Sequence, residues 1–367
     1  MTDLHNISVV LPSLDPDDKL IAVIDGLLEA GFSDIILVND GSKPENLHYF
    51  ETAAAHPEVH LLHHSVNRGK GAALKTAFTW FLENRPNGAG VVTVDGDNQH
   101  HPADTRACSE QMLRSRKVVL GCRDFSLPHV PKRSRMGNRI TCGVFKVMVG
   151  MTISDTQTGL RAIPTDAVRA FNEVKGDRFE YETNMLLAMK EQGIAFEEVK
   201  IRTVYIEENK SSHFRAVRDS VRIYKLILAH FFRYTLSSLL SSVVDTGLFV
   251  LLSILLQSMI QDPMLTILAA VGARVVSSLM NFFMNKLMVF HSNVRTGTAM
   301  ARYFTLAVVQ MLLQAGLTCA ANVALQLGSD QTLLRTVVYV IVMTALYFAS
   351  FIVQQRWVFA SSVKERN

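Results

Sequence analysis

Val91-Val-Thr-Val-Asp-Gly-Asp-Asn-Gln-His100 is the stretch whose reading decides the fold. Val91 to Val94 is short and mostly β-branched, the pattern of a buried strand. It delivers Asp95 and Asp97 at its C-terminal end. They are two residues apart, so an extended backbone points both carboxylates the same way. Open α/β sheets bind their ligands just beyond the carboxyl ends of their strands. Two carboxylates there suit a hard cation, Mg²⁺ or Mn²⁺, that shares its shell with substrate phosphates. The same residues also read as a plain acidic turn, because Asp-Gly marks turns of every kind. The neighbours separate the two readings.

Working outward, Ile7 to Leu11 reads as a strand ended by Pro12, and Ile35 to Val38 as a second that runs into Asn39-Asp-Gly-Ser42. Val59 to His63 reads as a third. Helical spacing fills 17–30, 45–55 and 69–83 between them. Strands alternating with helices predict a mostly parallel, right-handed, doubly wound sheet, with Asp40 and Asp95 lining one edge. Asn67-Arg-Gly-Lys-Gly-Ala72 can start a helix and let backbone N–H groups approach a phosphate. It lacks the spacing of a nucleotide-hydrolysing phosphate loop, and alone it reads as a helix-start turn rather than as a phosphate site.

These segments resemble a known family. Val9-Val-Leu-Pro12, Val38-Asn-Asp-Gly-Ser42, Asn67-Arg-Gly-Lys-Gly-Ala72 and Asp95-Gly-Asp97 stand in the order and spacing of family 2 inverting glycosyltransferases. The similarity is to the polyprenyl-phosphate sugar synthases of the dolichol-phosphate mannose synthase type. It extends over roughly the first 215 residues through Ser154-Asp-Thr-Gln-Thr-Gly-Leu-Arg161, Arg178-Phe-Glu-Tyr-Glu182 and Asn209-Lys-Ser-Ser-His-Phe-Arg215. The resemblance implies a GT-A fold. It implies that Pro12, Asp40, Lys70, Asp95, Asp97 and Arg215 line a nucleotide sugar, GDP-mannose or a UDP-sugar, with Asp40 at the base. His213 is a further candidate beside Arg215. Asp95, Asp97 and Gln99 then hold the metal. Arg123 and Arg133, with Ser134 and Arg135, hold the phosphate of a polyprenyl phosphate acceptor. Asp97, Asp155 and Arg123 stand at the chemistry. The sequence departs from the family at Leu14-Asp15, where an aromatic-Asn pair is usual, and at His100-His101, where His-Asp is usual.

The acceptor chemistry bears on Asp155. A phosphate monoester has a second pKa of about 6, so at neutral pH it attacks without a strong base. Asp155 is therefore a candidate for positioning or proton transfer. Arg178, Glu180 and Glu182 read at least as well as an ion-pair network that sets a loop as they do as catalytic groups.

The second half of the chain is written differently. Of 367 residues, 49% are hydrophobic, and from Tyr234 onward long apolar runs dominate. Four of them, near 234–257, 264–288, 303–327 and 333–357, exceed the about 20 residues a bilayer core requires. The loops at 258–263 and 328–332 hold no Lys or Arg, whereas Lys286, Arg295, Arg302, Arg356, Lys364 and Arg366 flank the opposite ends. The positive-inside rule then puts both termini in the cytosol, in a cytoplasmic membrane. Met1 to Asn6 has no basic-then-apolar pattern, which matches the expectation that no signal peptide is present. Ser220 to Phe232 alternates basic and apolar residues and reads as an interfacial helix. The expected organisation is a transferase domain over 1–212, a juxtamembrane segment over 213–232, a membrane domain over 233–360 and a tail over 361–367.

Residues recur at an offset of 69: Arg233-Tyr234 with Arg302-Tyr303, Gly247 with Gly316, Phe282 with Phe351, and Val289-Phe290 with Val358-Phe359. Both helix pairs start on the same side, which makes the repeat parallel. With Asn281-Phe-Phe-Met-Asn-Lys286, this resembles the GtrA-like membrane family. Asp245 and Arg274 fall mid-span and are expected to pair. Gln354-Gln-Arg-Trp357 is one residue short of the Gln-x-x-Arg-Trp of processive polysaccharide synthases and reads as an interfacial anchor.

With 37 Lys+Arg against 33 Asp+Glu, the net charge of +4 gives no sign of a nucleic-acid partner. Cys108, Cys122, Cys142 and Cys319 lack metal or disulfide spacing and read as free thiols. The expected activity is metal-dependent, inverting transfer of a hexosyl group, mannose or glucose, to a polyprenyl phosphate. The alternatives are a transporter or flippase of lipid-linked sugars and a processive polysaccharide synthase. Homo-oligomerisation is left open.

Overall fold

In the computed structural model the chain is described over residues 4–128, 130–202, 216–261, 263–290, 292–328 and 331–360. It divides into two compact units, Met1–Leu226 and Ile227–Asn367.

The first unit is built on one seven-stranded sheet in the order β3-β2-β1-β4-β6-β5-β7. Its strands are β1 (Ile7–Ser13), β2 (Ile35–Asn39), β3 (Val59–His63), β4 (Gly90–Thr93), β5 (Val118–Arg123), β6 (Arg161–Pro164) and β7 (Phe196–Ile201). β1 to β4 are mutually parallel, as the alternation of helix and strand predicts. β6 runs antiparallel to β4 and β5, and β7 lies parallel to β5. Helices α1 (Lys19–Glu29), α2 (Leu47–Ala53), α3 (Lys70–Asn84), α4 (Pro102–Ser115), α5 (Lys132–Met148), α6 (Thr165–Asn172) and α7 (Glu180–Gln192) connect them. The core beneath the sheet is drawn from alternate strand positions, such as Val9, Leu11, Ile35, Leu37 and Val92, with Leu20, Ile24 and Leu27 of α1.

β1 does not stop at Pro12; it continues to Ser13 and pairs Pro12 with Val38. Proline is normally kept out of central strands because it has no N–H to donate. Here β4 pairs only with Ile7 to Val10, so on that side the ladder has already ended when Pro12 is reached.

The second unit holds four helices long and apolar enough to cross a membrane: Phe231–Leu256, Met264–Val289, Thr296–Ala324 and Thr332–Val358. The first is the end of α8 (Ala216–Leu256), which is one unbroken helix, so 220–232 is not a separate element. The others are α9 (Met264–Met284), α10 (Thr296–Ala324) and α11 (Thr332–Val353). α9 and α11 each end in a π-helical turn, Asn285–Val289 and Gln354–Val358, again 69 residues apart. The repeat is thus structural as well as sequential.

At its centre Asn285 Nδ2 donates to Gln354 Oε1 at 3.1 Å, repeat position to repeat position. On one side Asn285 also donates to Asn281, which accepts from the Tyr303 hydroxyl at 2.8 Å. On the other, Gln354 donates toward the Tyr234 hydroxyl at 3.3 Å. Tyr234 and Tyr303 are themselves repeat mates. In hydrocarbon every polar group needs an internal partner, and this network supplies them. Gln354 is therefore no interfacial anchor; it is buried, and only the Trp357 end of that motif is exposed.

Asp245 and Arg274 do pair, at 3.2 Å, and Ser277 Oγ donates to Asp245 at 2.7 Å. Breaking a low-dielectric pair from one side leaves an uncompensated charge at a cost of about 3 kcal/mol or more. Asp245→Asn and Arg274→Gln should therefore each lower the thermal unfolding midpoint in detergent more than the double substitution does. A double variant damaged by the sum of the two single effects would show that the pair is not coupled.

Candidate active site

The site lies beyond the carboxyl ends of β4 and β5. β4 ends at Thr93, whose hydroxyl donates to the Gly159 carbonyl at 2.6 Å and so ties the segment 154–160 to the strand end. The turn that follows carries Asp95, Asp97 and Gln99. Asn98 takes φ 59, the left-handed conformation that asparagine tolerates, and the Gln99 N–H donates back to Asp97 Oδ1 at 3.1 Å.

Lys70, the first residue of α3, reaches Asp95 Oδ1 at 2.7 Å and Glu182 Oε1 of α7 at 3.0 Å. Burial alone would lower the Lys70 ammonium, but the charges of Asp95 and Glu182 outweigh it and hold it above the usual lysine range. Asp95 responds in the opposite sense. Burial pushes its carboxyl up, and Lys70 and His100 pull it well below the ordinary carboxylate value. Asp97 is raised, first by burial and then by the negative charge of Asp95.

Asp95 and Asp97 thus form a carboxylate pair close enough to repel. Together with the Gln99 carbonyl they offer hard oxygen donors of the kind a divalent cation takes, and such a cation would relieve that repulsion. Among the described residues no cluster of three His, Cys, Asp or Glu side chains is preformed for a metal. Lys70 supplies the positive charge at Asp95 in this state.

Asp40 is placed otherwise than as an open base-recognising group. It is 3% exposed, and its carboxylate accepts from the Arg68 and Gly69 N–H groups at 2.9 and 2.7 Å. His64 Nδ1 lies 2.7 Å from it, and His64 Nε2 lies 2.9 Å from the Thr76 hydroxyl. Asp40 therefore holds the glycine-rich loop that presents Lys70. Gly69 completes that loop with φ 104, and a Cβ there would strike the Asp177 carbonyl.

Asp155 is fully buried. Arg123 donates to it through Nε at 2.7 Å and Nη2 at 3.2 Å, a two-pronged pair. Arg123 and Asp155 thus engage each other, and of the two roles expected for Asp155 this geometry supplies the positioning one. The Arg135 guanidinium donates to the Leu127 carbonyl at 2.9 Å. Ser134 lies on the first turn of α5, with Arg133 beside it in the same helix. Arg215 and His213 lie outside the described residues. Pro12 sits near the end of β1.

Arg161 at the start of β6 carries no expected role, yet it is the largest fully buried side chain. It donates to the Thr158 and Glu182 carbonyls at 3.1 and 2.8 Å, and its Nη2 has no hydrogen-bond partner among the described residues. The charges of Glu182, Asp155 and Asp95 all act on it. The available signal was an arginine set inside Leu160-Arg-Ala-Ile163, where an isolated charge in a buried run calls for carboxylates nearby.

With this geometry in view, comparison with known proteins decides the family. Residues 8–170 match Glycosyl transferase family 2, and residues 233–359 match the GtrA/DPMS transmembrane domain. The chain joins a family 2 glycosyltransferase domain to a GtrA/DPMS membrane domain. It is 28% identical over 231 residues to an uncharacterised protein of Methanocaldococcus jannaschii, across 62% of this chain and 93% of that one. It is 25% identical to a UDP-N-acetylglucosamine–dolichyl-phosphate N-acetylglucosaminyltransferase of Methanococcus voltae, across 55% and 86%. It is 26% identical to an undecaprenyl-phosphate mannosyltransferase of Micrococcus luteus, across 49% and 75%. A glucosyl-3-phosphoglycerate synthase from Mycobacterium tuberculosis, solved with Mn²⁺ and uridine diphosphate, superposes with a TM-score of 0.46 at 16% identity, over 61% of this chain and 78% of that one. The protein is a membrane glycosyltransferase with a GT-A-like sheet.

Removing Asp40 would strand two loop N–H groups, at a cost of about 1–3 kcal/mol each. Asp40→Ala should therefore lower the thermal midpoint of the transferase unit as well as its activity. A residue that only reads a base would raise the donor KM and leave the midpoint unchanged.

Proposed function

We propose that this protein transfers a hexosyl group, with inversion, from a nucleotide sugar to a polyprenyl phosphate. The reading is supported most by one arrangement: the mutually repelling Asp95–Asp97 pair at the end of β4, with Lys70 already seated against Asp95. A nucleoside diphosphate leaving group needs positive charge where its own negative charge develops. Asp95, Asp97 and Gln99 would hold Mg²⁺ or Mn²⁺, which supplies charge neutralisation to that diphosphate. Lys70 is close enough to exchange Asp95 for a phosphate oxygen. Glu182 then keeps the ammonium positioned.

The acceptor needs no strong base, because its phosphate is largely dianionic at neutral pH. Its difficulty is alignment with the anomeric carbon. Arg123, stiffened by its paired bonds to Asp155 and by the Phe125 ring 5.1 Å away, is retained as the candidate that orients that phosphate. Arg133, Ser134 and Arg135, in the first turn of α5, are retained as further acceptor-phosphate candidates. Arg215 is retained as a donor-side candidate. Lipid-phosphate transferases among the relatives support the acceptor class, and their differing sugars leave mannose, glucose and N-acetylated hexoses to be told apart by assay. The basic ends of the membrane helices support a cytosolic transferase domain. The polymer-making alternative gains nothing from Gln354, which is buried against Asn285.

Purified protein incubated with a polyprenyl phosphate and GDP-mannose, UDP-glucose or UDP-N-acetylglucosamine in Mn²⁺ should form one lipid-linked sugar with inverted anomeric configuration. Asp97→Asn should cut kcat by about 10²–10³-fold with the circular dichroism unchanged. Transfer indifferent both to that substitution and to chelation would overturn the reading. Arg123→Lys keeps the charge but not the paired bonds, and should raise the acceptor KM while the donor KM stays constant.

A further inference from the structure

Asp40 and His64 form a pair closed off from solvent, with side chains 5% and 3% exposed. Asp40 follows β2 and His64 follows β3. Their backbones prolong the sheet: the Asp40 N–H donates to the Ser13 carbonyl and the His64 N–H to the Asn39 carbonyl, each at 2.9 Å. Gly41 brings the glycine-rich loop close to this strand end. It takes φ 73, and a Cβ there would strike the backbone of Val66 and Asn67.

The two side chains carry this fixed point outward. The Asp40 carboxylate accepts from the Arg68 and Gly69 N–H groups. His64 Nδ1 meets Asp40 Oδ1 at 2.7 Å, and Nε2 meets the Thr76 hydroxyl of α3 at 2.9 Å. A carboxylate oxygen accepts, so His64 donates from Nδ1. A hydroxyl both donates and accepts, so Thr76 suits Nε2 in either charge state of the ring. Among the described residues His64 is the one basic side chain within ion-pairing distance of Asp40.

Lys70 stands between the tied points. It is one residue beyond Gly69 and six before Thr76, and six helical residues span about 9 Å. The start of α3 is thus held from both sides by one imidazole–carboxylate pair. Without the imidazole, the buried carboxylate would be one hydrogen bond short and Thr76 would lose its tie to the loop. The ammonium of Lys70, now 2.7 Å from Asp95, would have no fixed origin.

We infer that His64 is a positioning residue for donor binding. With Thr76 it locks Asp40 and the Arg68–Gly69 backbone to α3, and so fixes where Lys70 meets the donor diphosphate. Being buried, it acts through Lys70 and touches no substrate. The inference rests on the proposed reading of Lys70 as a diphosphate ligand.

The test uses the full-length protein in detergent, well below the unfolding midpoint of each variant. The donor is whichever of GDP-mannose, UDP-glucose and UDP-N-acetylglucosamine the protein uses. His64→Phe keeps a ring but neither hydrogen bond, and should raise the donor KM by about tenfold while the acceptor KM stays constant. His64→Asn places an amide N–H where Nδ1 stands and should recover most of that loss. Thr76→Val keeps the shape without the hydroxyl, disturbs the fold least, and should raise the donor KM by about threefold. Because Thr76 acts through His64, the double variant His64→Phe/Thr76→Val should be no worse than His64→Phe alone. A donor KM unchanged in Thr76→Val and in folded His64→Phe, or donor and acceptor KM rising together, would overturn the inference. Hydrogen exchange over 64–76 reads the same relay without substrate, and should quicken by about tenfold in His64→Phe. Unchanged exchange there would equally overturn it. Failure of the transferase reading would appear separately, as absence of transfer by the unsubstituted protein from every donor, and the exchange experiment would then decide whether the relay holds the loop.

Discussion

The contact between Lys70 and the two carboxylates of Asp95 and Glu182 governs the transferase site. Three elements meet there: the end of β4, the start of α3 and the start of α7. Each charge would be costly in that position without the others, since burial works against the charged form of Lys70 and of Asp95 alike. The contact makes the site ready for a polyanion, because the ammonium and the carboxylates are already drawn together before substrate arrives.

Around this contact the protein spends other charged residues on aim. Asp40 uses its carboxylate to hold the Arg68–Gly69 backbone, which sets the start of α3 and so the origin of the Lys70 side chain. Asp155 does the same for Arg123. Arg161 ties Thr158 to Glu182, joining the segment 154–160 to α7. Motif residues that look like ligands in a linear sequence thus include several that hold a loop or another side chain in place.

The membrane domain solves a different problem with the same economy. Its two halves are related by 69 residues and meet through Asn285 and Gln354, an amide pair that no lipid could satisfy. The π-helical turns that carry these amides add one residue to the turn at the same place in both halves. Such turns persist where a particular side chain must be presented, and here they turn the amides inward.

Much was legible in the chain itself. Periodicity identified the parallel strands β1 to β4 and four spans, because burial on both faces of a sheet and immersion in hydrocarbon each impose a one-dimensional pattern. Spacing alone exposed the repeat, and four ordered motifs pointed to the transferase family and to the Asp95–Gln99 turn. β6, β7 and α4 were not visible, since short or half-exposed elements carry weak patterns and β6 is held by pairing with strands distant in sequence. The partners of charged residues were hidden for the same reason. Lys70 with Glu182, Arg123 with Asp155 and Asp40 with the 67–69 backbone are contacts between segments far apart along the chain, and a hydrogen bond leaves no period behind. The linear order of residues therefore settled which chemistry the protein carries, while only the packing of one element on another decided which charges meet the substrate and which meet each other.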